Sequence, residues 1–415
     1  MGPASVTYHE FAERPLSDSC WSTSTGPDGR VYIACCIEHT GGGTATVVRP
    51  RLDGTPEYLF DLDEVTGDRR DSGRATQCKI HYSFVPDPES DLMWCATHLS
   101  GPPIGEKSYN PWASWHDPVR AFRGAYLVAY DVRRNQVAHS TLMIPREGCR
   151  CLAFDAHRRV LYALTYPRDH LVSYDLDRGI LTDLGRIGSV NAQCLFLDRR
   201  GRVHTVGDRG RLVRYDPEIG RIEELPWSWP VEPAQTPWHA VIYDAVADPV
   251  SGAIYGIPWK PRPHLARFWP EDGPSGRLED LGLVGQQCDP RRPVAINLNH
   301  VGGLVFAGDG RLLYVRAAWL PGTEHGRVIH PRPSGPTIHT TRAVLCAFDP
   351  QSGTHSDICD LDGGAGPNLY IARGARSAAG DLYFGKIMAT PAGYFQVRLP
   401  DSTSTPVANC LRMWG

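Results

Sequence analysis

Long apolar runs are missing from this 415-residue chain. No stretch approaches the roughly 18 apolar residues that a membrane-spanning helix requires. The opening residues, MGPASVTYHEFAERP, lack a basic segment followed by an apolar one, so no secretory leader is expected. The chain therefore reads as cytoplasmic, or as secreted if the N-terminus has been processed. A strong charge of either sign is also missing. The formal net charge is −3 and the pI near 6.6, so no global field draws the protein to nucleic acid or to an anionic membrane, and neither is expected as a partner. There is no CxxC pair among the 12 cysteines, which argues against a zinc ribbon. Many of them lie in apolar patterns such as Met93-Trp94-Cys95-Ala96 and Cys149-Arg150-Cys151-Leu152, where buried reduced thiols are expected. No HxH or HxxxH spacing concentrates the 16 histidines. A structural or catalytic divalent ion (Ca, Mn or Zn) is thus neither specified nor excluded, and Cys149-x-Cys151 beside a distant His is the one cysteine pair to hold open for it. No helical period is sustained anywhere.

What is present is a repeat. An apolar strand, a tight turn with Asp or Gly and a second strand bearing an aromatic recur as AFDAHRRVLYALTY (153–166), LFLDRRGRVHTVGD (195–208), AVADPVSGAIYGIPW (245–259), VFAGDGRLLYVRA (305–317) and ARGARSAAGDLYFGKI (372–387). Near the start, TSTGPDGRVYIACC (23–36) and SFVPDPESDLMWCATH (83–98) bring the count to seven. Alternating apolar residues around such turns are hairpin signals. Third and fourth strands follow most copies, most clearly in 171–187, 212–225 and 344–361. Four antiparallel strands repeated seven times describe a seven-bladed β-propeller, an all-β fold filling residues 1–415 as one domain. Closure by a strand near 6–13 is expected, with 406–413 the alternative for the outermost position. Insertions at 101–120 and 320–341 interrupt blades two and six and suit lids, subsite walls or dimer contacts. Oligomeric state is not readable.

Register sorts the polar residues by face. Trp94, Tyr162, His204, Tyr255 and Tyr314 align, and the second strands end four residues later at His98, Tyr166, Asp208, Trp259 and Ala318. His81 opens the innermost strand of blade two, and the links into later blades carry Arg186, Asn191, His239, Asn297, Asn299 and His300. All are expected to rim one mouth of the central channel. A ring of His, Tyr, Arg and Asn there is the default site for such a fold. Each residue also has a plain structural reading, as a satisfied strand His, a packed Tyr or a solvated turn Arg. Weaker rim candidates are His39, Lys260, Arg316 and Lys386.

The segments IHYSFVPDPESDLMWCATH (80–98), LTYPRDHLVSYDLDRGILTDLGR (164–186) and WHAVIYDAV (238–246) resemble the seven-bladed polysaccharide lyases of the ulvan lyase and L-rhamnose-α-1,4-D-glucuronate lyase type. The resemblance covers most of the chain in architecture and is specific over roughly 78–190. It implies β-elimination at a uronate in an anionic oligosaccharide or polysaccharide, leaving an unsaturated sugar, with no cofactor required. Arg186 and His239 would neutralise the uronate carboxylate, Tyr166 or His98 would remove the C5 proton or protonate the leaving O4, and His81 would orient or stabilise. A tyrosine near cations has its phenolate favoured. Asn191, Asn297, His300, Trp259, Lys260 and Arg316 would contact substrate. Two readings compete with this one: a metal-dependent propeller enzyme of oligogalacturonate lyase or lactonase type, and a non-catalytic propeller binding a glycan or a protein.

Overall fold

In each repeat a turn-forming Asp or Gly lets two apolar strands fold back on one another. Asp155 Oδ1 accepts the Arg158 amide at 2.9 Å, and Asp198 Oδ1 accepts the Arg200 and Arg202 amides at 2.9 and 3.0 Å. Asp248 Oδ1 takes the Val250 amide at 2.9 Å. The carboxylate competes with the extended ladder for these amides and so fixes where the hairpin turns. Gly201, with φ of +72°, fills the left-handed position that such a turn needs.

The computed structural model describes residues 4–38, 43–98, 115–188, 192–230, 241–258, 263–284, 301–318, 328–332, 335–338, 342–365, 370–387 and 390–400. Its hairpins assemble into seven four-stranded antiparallel sheets arranged as a ring, a seven-bladed β-propeller. Innermost strands are Thr23–Thr25, Phe84–Pro86, Gly148–Asp155, Phe196–Leu197, Ile242–Ala247, Val301–Phe306 and Tyr370–Arg376, in blades one to seven. The single α-helix among the described residues, Leu62–Thr66, is five residues long. Blade six carries an extra hairpin, Val328–Arg332 with Gly335–Ile338, between its second and third strands, at the insertion read from the sequence.

Burial falls from the axis outwards. All but one residue of Gly148–Asp155 is buried, whereas the outermost strand of the same blade, Ile180–Arg186, has no buried residue. Aromatics fill the space between blades: Phe60 stacks on Tyr130, with centroids 5.5 Å apart, and His204, stacked on Phe196 of its own blade, meets Phe268 of blade five edge to face at 5.5 Å. His204 stands where the other repeats have an aromatic, fully buried, with Nε2 2.9 Å from Asp198 Oδ2. Burying such a side chain contributes about 2 kcal/mol, so the wedges between blades help to hold the ring together.

The N-terminal strand Ser5–Glu10 closes the ring. It pairs with Gly393–Arg398 from Ser5↔Arg398 to Glu10↔Gly393 and lies outermost in blade seven. Residues 406–413 lie outside the described residues. Asp208 does not end its strand: Val203–Val206 stops earlier, and Asp208 begins a short 3₁₀ turn, Asp208–Gly210. Likewise His81 does not open a strand but precedes Phe84–Pro86, its segment held by Lys79↔His98 and Tyr82↔Cys151 bridges.

Candidate functional site

The start of each innermost strand and the end of each second strand meet at one face of the ring. In blade three Gly148 pairs with Tyr166. In blade two the His98 amide donates to the Lys79 carbonyl at 2.7 Å, and the Cys149 amide donates to the Thr97 carbonyl at 2.9 Å, which stitches blade three to blade two. These pairings bring together residues that lie far apart in the chain. The His98 and Tyr166 rings are 4.9 Å apart edge to face, and the His81 and His98 rings 5.4 Å.

The cluster contains two cations that the sequence reading did not select. The Arg150 guanidinium lies 4.5 Å above the Tyr166 ring, and the Lys79 ammonium 4.0 Å above the Trp21 ring. Lys79 forms a 3.0 Å ion pair with Glu38, which also accepts the Trp21 indole N–H at 2.6 Å. Trp21 in turn stacks on His81 at 5.0 Å. The signal for both cations was available, since each is a lone charge inside a run of apolar residues (Cys78-Lys79-Ile80 and Cys149-Arg150-Cys151). A charge in such a run is buried only where something compensates it.

The electrostatics follow from burial. Lys79, His81, His98 and Arg150 are 3, 1, 2 and 7% exposed, while Tyr166 is half-buried at the outer edge of the cluster. Burial first, then the neighbouring Arg150 and Lys79 charges, hold His98 well below its ordinary pKa; the same causes act on His81. Both imidazoles are therefore neutral at physiological pH. His81 Nδ1–H donates to the Arg150 carbonyl at 2.8 Å, which fixes its tautomer and leaves Nε2 as the acceptor nitrogen. His98 Nδ1 has no hydrogen-bond partner among the described residues. Asp169, also buried, is pushed up to about 6 by desolvation, against the pull of Arg150 and Arg186.

Two imidazoles flanked by two buried cations suit an anion better than a divalent ion, and among the described residues no group of three or more His, Cys, Asp or Glu is placed to hold a metal. Burial drives the Cys149 thiol up to about 12, so it stays protonated, and its Sγ lies 3.4 Å from the Cys151 carbonyl. The ten cysteines among the described residues are all free thiols.

The remaining sequence candidates scatter. Arg186 ends the outermost strand of blade three, exposed, with Nε donating to the Gly188 carbonyl at 2.8 Å. It reaches the cluster only as a charge felt by Asp169, and the guanidinium beside Tyr166 belongs to Arg150. Arg316, in the second strand of blade six, is engaged by Asp357 at 2.9 and 3.0 Å. Lys386 is buried in blade seven, its ammonium 5.2 Å from the Tyr8 ring. Asn191, His239, Trp259, Lys260, Asn297, Asn299, His300 and His39 lie outside the described residues. Of the insertion in blade two, the described end at Trp115 stacks under Arg168 at 5.1 Å, two residues from Tyr166, so this loop returns to the edge of the cluster.

No family model and no curated protein matches the chain. Solved structures do. The extracellular domain assigned as a one-component system of B. thetaiotaomicron aligns with 96% of this chain at 13% identity and a TM-score of 0.58, and the chain spans 40% of that protein. A virginiamycin B lyase from Staphylococcus aureus, in an inactive form with quinupristin, is similar at 10% identity and a TM-score of 0.53, over 95% of this chain and 99% of that one. The WD40 repeats of RRP9 give 10% and 0.57, over 96% and 99%. Sensor, enzyme and WD40 protein share one architecture at these identities, and what the likeness establishes for this chain is the seven-bladed propeller.

Proposed function

We propose that the protein is a lyase that cleaves a uronate-containing glycan, of rhamnose–glucuronate type, by β-elimination. One observation carries the reading: two buried cations, Lys79 and Arg150, flank a neutral His98 whose ring meets Tyr166 at 4.9 Å. β-Elimination at a uronate needs that set. The C5–H is too weakly acidic while the neighbouring carboxylate keeps its full charge, and a cation against the carboxylate stabilises the enolate-like charge that develops. Arg150 takes this part, in place of Arg186, with Lys79 behind it.

With its ring held neutral, His98 is the base that removes the C5 proton. The arriving carboxylate offsets the two cations and so raises the basicity of His98 at the moment it is needed. The Tyr166 hydroxyl, at the open edge, donates a proton to the departing O4, the C4–O4 bond breaks, and a C4=C5 double bond remains on the sugar. His81, fixed in one tautomer by the Arg150 carbonyl and stacked on Trp21, orients the pair. That the fold carries lyases elsewhere is consistent with this proposal, though at such identities it adds no residue.

The test is ultraviolet absorbance over time on ulvan, deacetylated gum arabic side chains, rhamnosyl-glucuronate oligosaccharides and oligogalacturonate, each with and without chelator. The expected result is new absorbance from the conjugated double bond, insensitive to chelator and reduced about a hundredfold or more in His98→Ala, Tyr166→Phe and Arg150→Gln. A flat trace on every substrate refutes the lyase reading and favours a glycan- or protein-binding propeller. Activity lost to chelator moves the assignment to a metal-dependent enzyme.

A further inference from the structure

The opposite face of the ring, where the first and second strands of each blade turn, holds a cavity of about 500 Å³ at the other mouth of the channel. Blades one, five, six and seven line it, with Thr25, Asp244, Leu304, Gly308, Arg373 and Arg376 among the walls. Its floor is the Arg373 guanidinium, which reaches across the axis to lie 4.2 Å over the Tyr82 ring of blade two, with Nη2 3.6 Å from Cys194 of blade four. The Tyr82 ring lies 5.9 Å from that of Tyr243, and both residues are 1% exposed.

The polar groups here carry a surplus of donors. Asp244 is the carboxylate on the floor, and it is already used: Oδ2 accepts the Leu304 amide at 2.8 Å, and Oδ1 stands 3.5 Å from Arg373 Nε, longer than a hydrogen bond of good geometry. Asp248, the other acid of the lining, is taken up by its turn through the Val250 amide and the Ser251 hydroxyl. Arg373 Nε and Arg376 Nη2 are both without a hydrogen-bond partner among the described residues. Arg376 is drawn into the wall because residue 308 is glycine; a Cβ there would stand 2.5 Å from Arg376 Nη2. Two guanidinium groups line the cavity beside one committed carboxylate, an arrangement that suits an acceptor-rich ligand.

We propose that this cavity is a second ligand site, distinct from the His98–Tyr166 cluster, which binds a small oxyanion-bearing molecule (a carboxylate or a phosphate) on Arg373 and Arg376. The inference does not rest on the lyase reading, because no residue of that cluster lines the cavity. The source of the oxyanion is separated by two probes, gluconate and inorganic phosphate.

Calorimetric titration of the full chain with each probe tests it. Because Lys79 and Arg150 also attract anions, the expected parent result is two binding equivalents for at least one probe. Arg376→Gln is expected to weaken one of them about tenfold or more, Arg376→Lys to restore part of that loss, and Arg150→Gln to remove only the other equivalent. Arg376 lies on the cavity wall rather than across the axis, so it decides the matter should Arg373→Gln fail to fold; melting curves confirm that each variant is native. Binding by gluconate alone assigns the site to carboxylates, and by phosphate alone to phosphates. The proposal is overturned if neither probe saturates, if Arg376→Gln binds as the parent does, or if Arg150→Gln alone abolishes all binding.

Discussion

Asp169→Asn is expected to stabilise the protein at neutral pH, by an amount that the surroundings of Asp169 set. This residue follows Tyr166 in the turn between the second and third strands of blade three, with φ of +56° and its carbonyl accepting the Ile187 amide at 3.0 Å. It is 3% exposed, its Oδ1 lacks a hydrogen-bond partner among the described residues, and burial pushes its pKa from 3.8 up to about 6. A carboxyl whose folded pKa lies above its unfolded one binds protons more tightly in the folded state. Its contribution is therefore intact below about pH 4 and is lost as pH rises through about 6. Roughly two pKa units at 1.36 kcal/mol each put the cost of the buried charge near pH 8 at about 3 kcal/mol. Asparagine keeps the shape, tolerates the left-handed backbone and cannot ionise. Urea unfolding of parent and variant is expected to give nearly equal stabilities at about pH 4 and a gap of about 3 kcal/mol in favour of the variant at about pH 8. Asp244, also raised to about 6, titrates alike in both proteins and cancels from the difference. A gap that does not change with pH, or a variant weaker than the parent at about pH 8, refutes the reasoning.

Glu38→Gln is expected to cost about 3 kcal/mol or more in urea unfolding, because it strands the Lys79 ammonium, 3% exposed, without its carboxylate. Burial lowers the Lys386 pKa to about 8, so its charge penalises the folded state below that pH and the penalty fades as pH rises from about 8 towards the unfolded value of 10.5. Lys386→Met is therefore expected to gain about 2 kcal/mol near pH 7, after about 1 kcal/mol is subtracted for the lost hydrogen bond to the Ala365 carbonyl, and to lose that advantage above about pH 10. Deleting residues 1–10 removes the strand that pairs with Gly393–Arg398 and the Tyr8 ring set 5.1 Å from Phe395. The unfolding midpoint is expected to drop by several degrees and the exposed edge to promote association, both measurable by calorimetry and size-exclusion chromatography.

The propeller is legible in the sequence because its information is local and repeated. Each hairpin carries its own Asp or Gly turn and its own aromatic, so seven weak signals reinforce one another. His204 shows how far the pattern bends: a polar side chain takes the aromatic position by stacking on Phe196 and handing its Nε2 to Asp198. Strand ends were less legible, since whether Val203–Val206 continues to Asp208 depends on pairing with Arg211–Asp216 rather than on any residue within it.

The candidate site was half legible, and the division has a physical cause. Repeat register says which residues reach a face, and it correctly brought His81, His98 and Tyr166 to one place. It cannot say how deep a residue lies along the radius of a blade. Arg186 and Arg150 both reach this end of blade three, but Arg186 terminates the outermost strand and is exposed, whereas Arg150 sits in the innermost strand at 7% exposure. Radial depth is what gives a charge its chemistry here. On the rim, water screens a guanidinium to little more than a solvated turn group; beside Tyr166 the same group acts in a poorly hydrated space. There it also depresses the His98 pKa. The better guide to such a residue is its neighbours in sequence rather than its place in the repeat: Arg150 and Lys79 are each held between buried cysteine and apolar positions, where an uncompensated charge is not tolerated. By the same rule Arg373, between Ala372 and Gly374 in the innermost strand of blade seven, marks the other mouth of the channel, where its guanidinium lies 4.2 Å over the Tyr82 ring and beside Asp244, whose charge outweighs the cost of the partial burial.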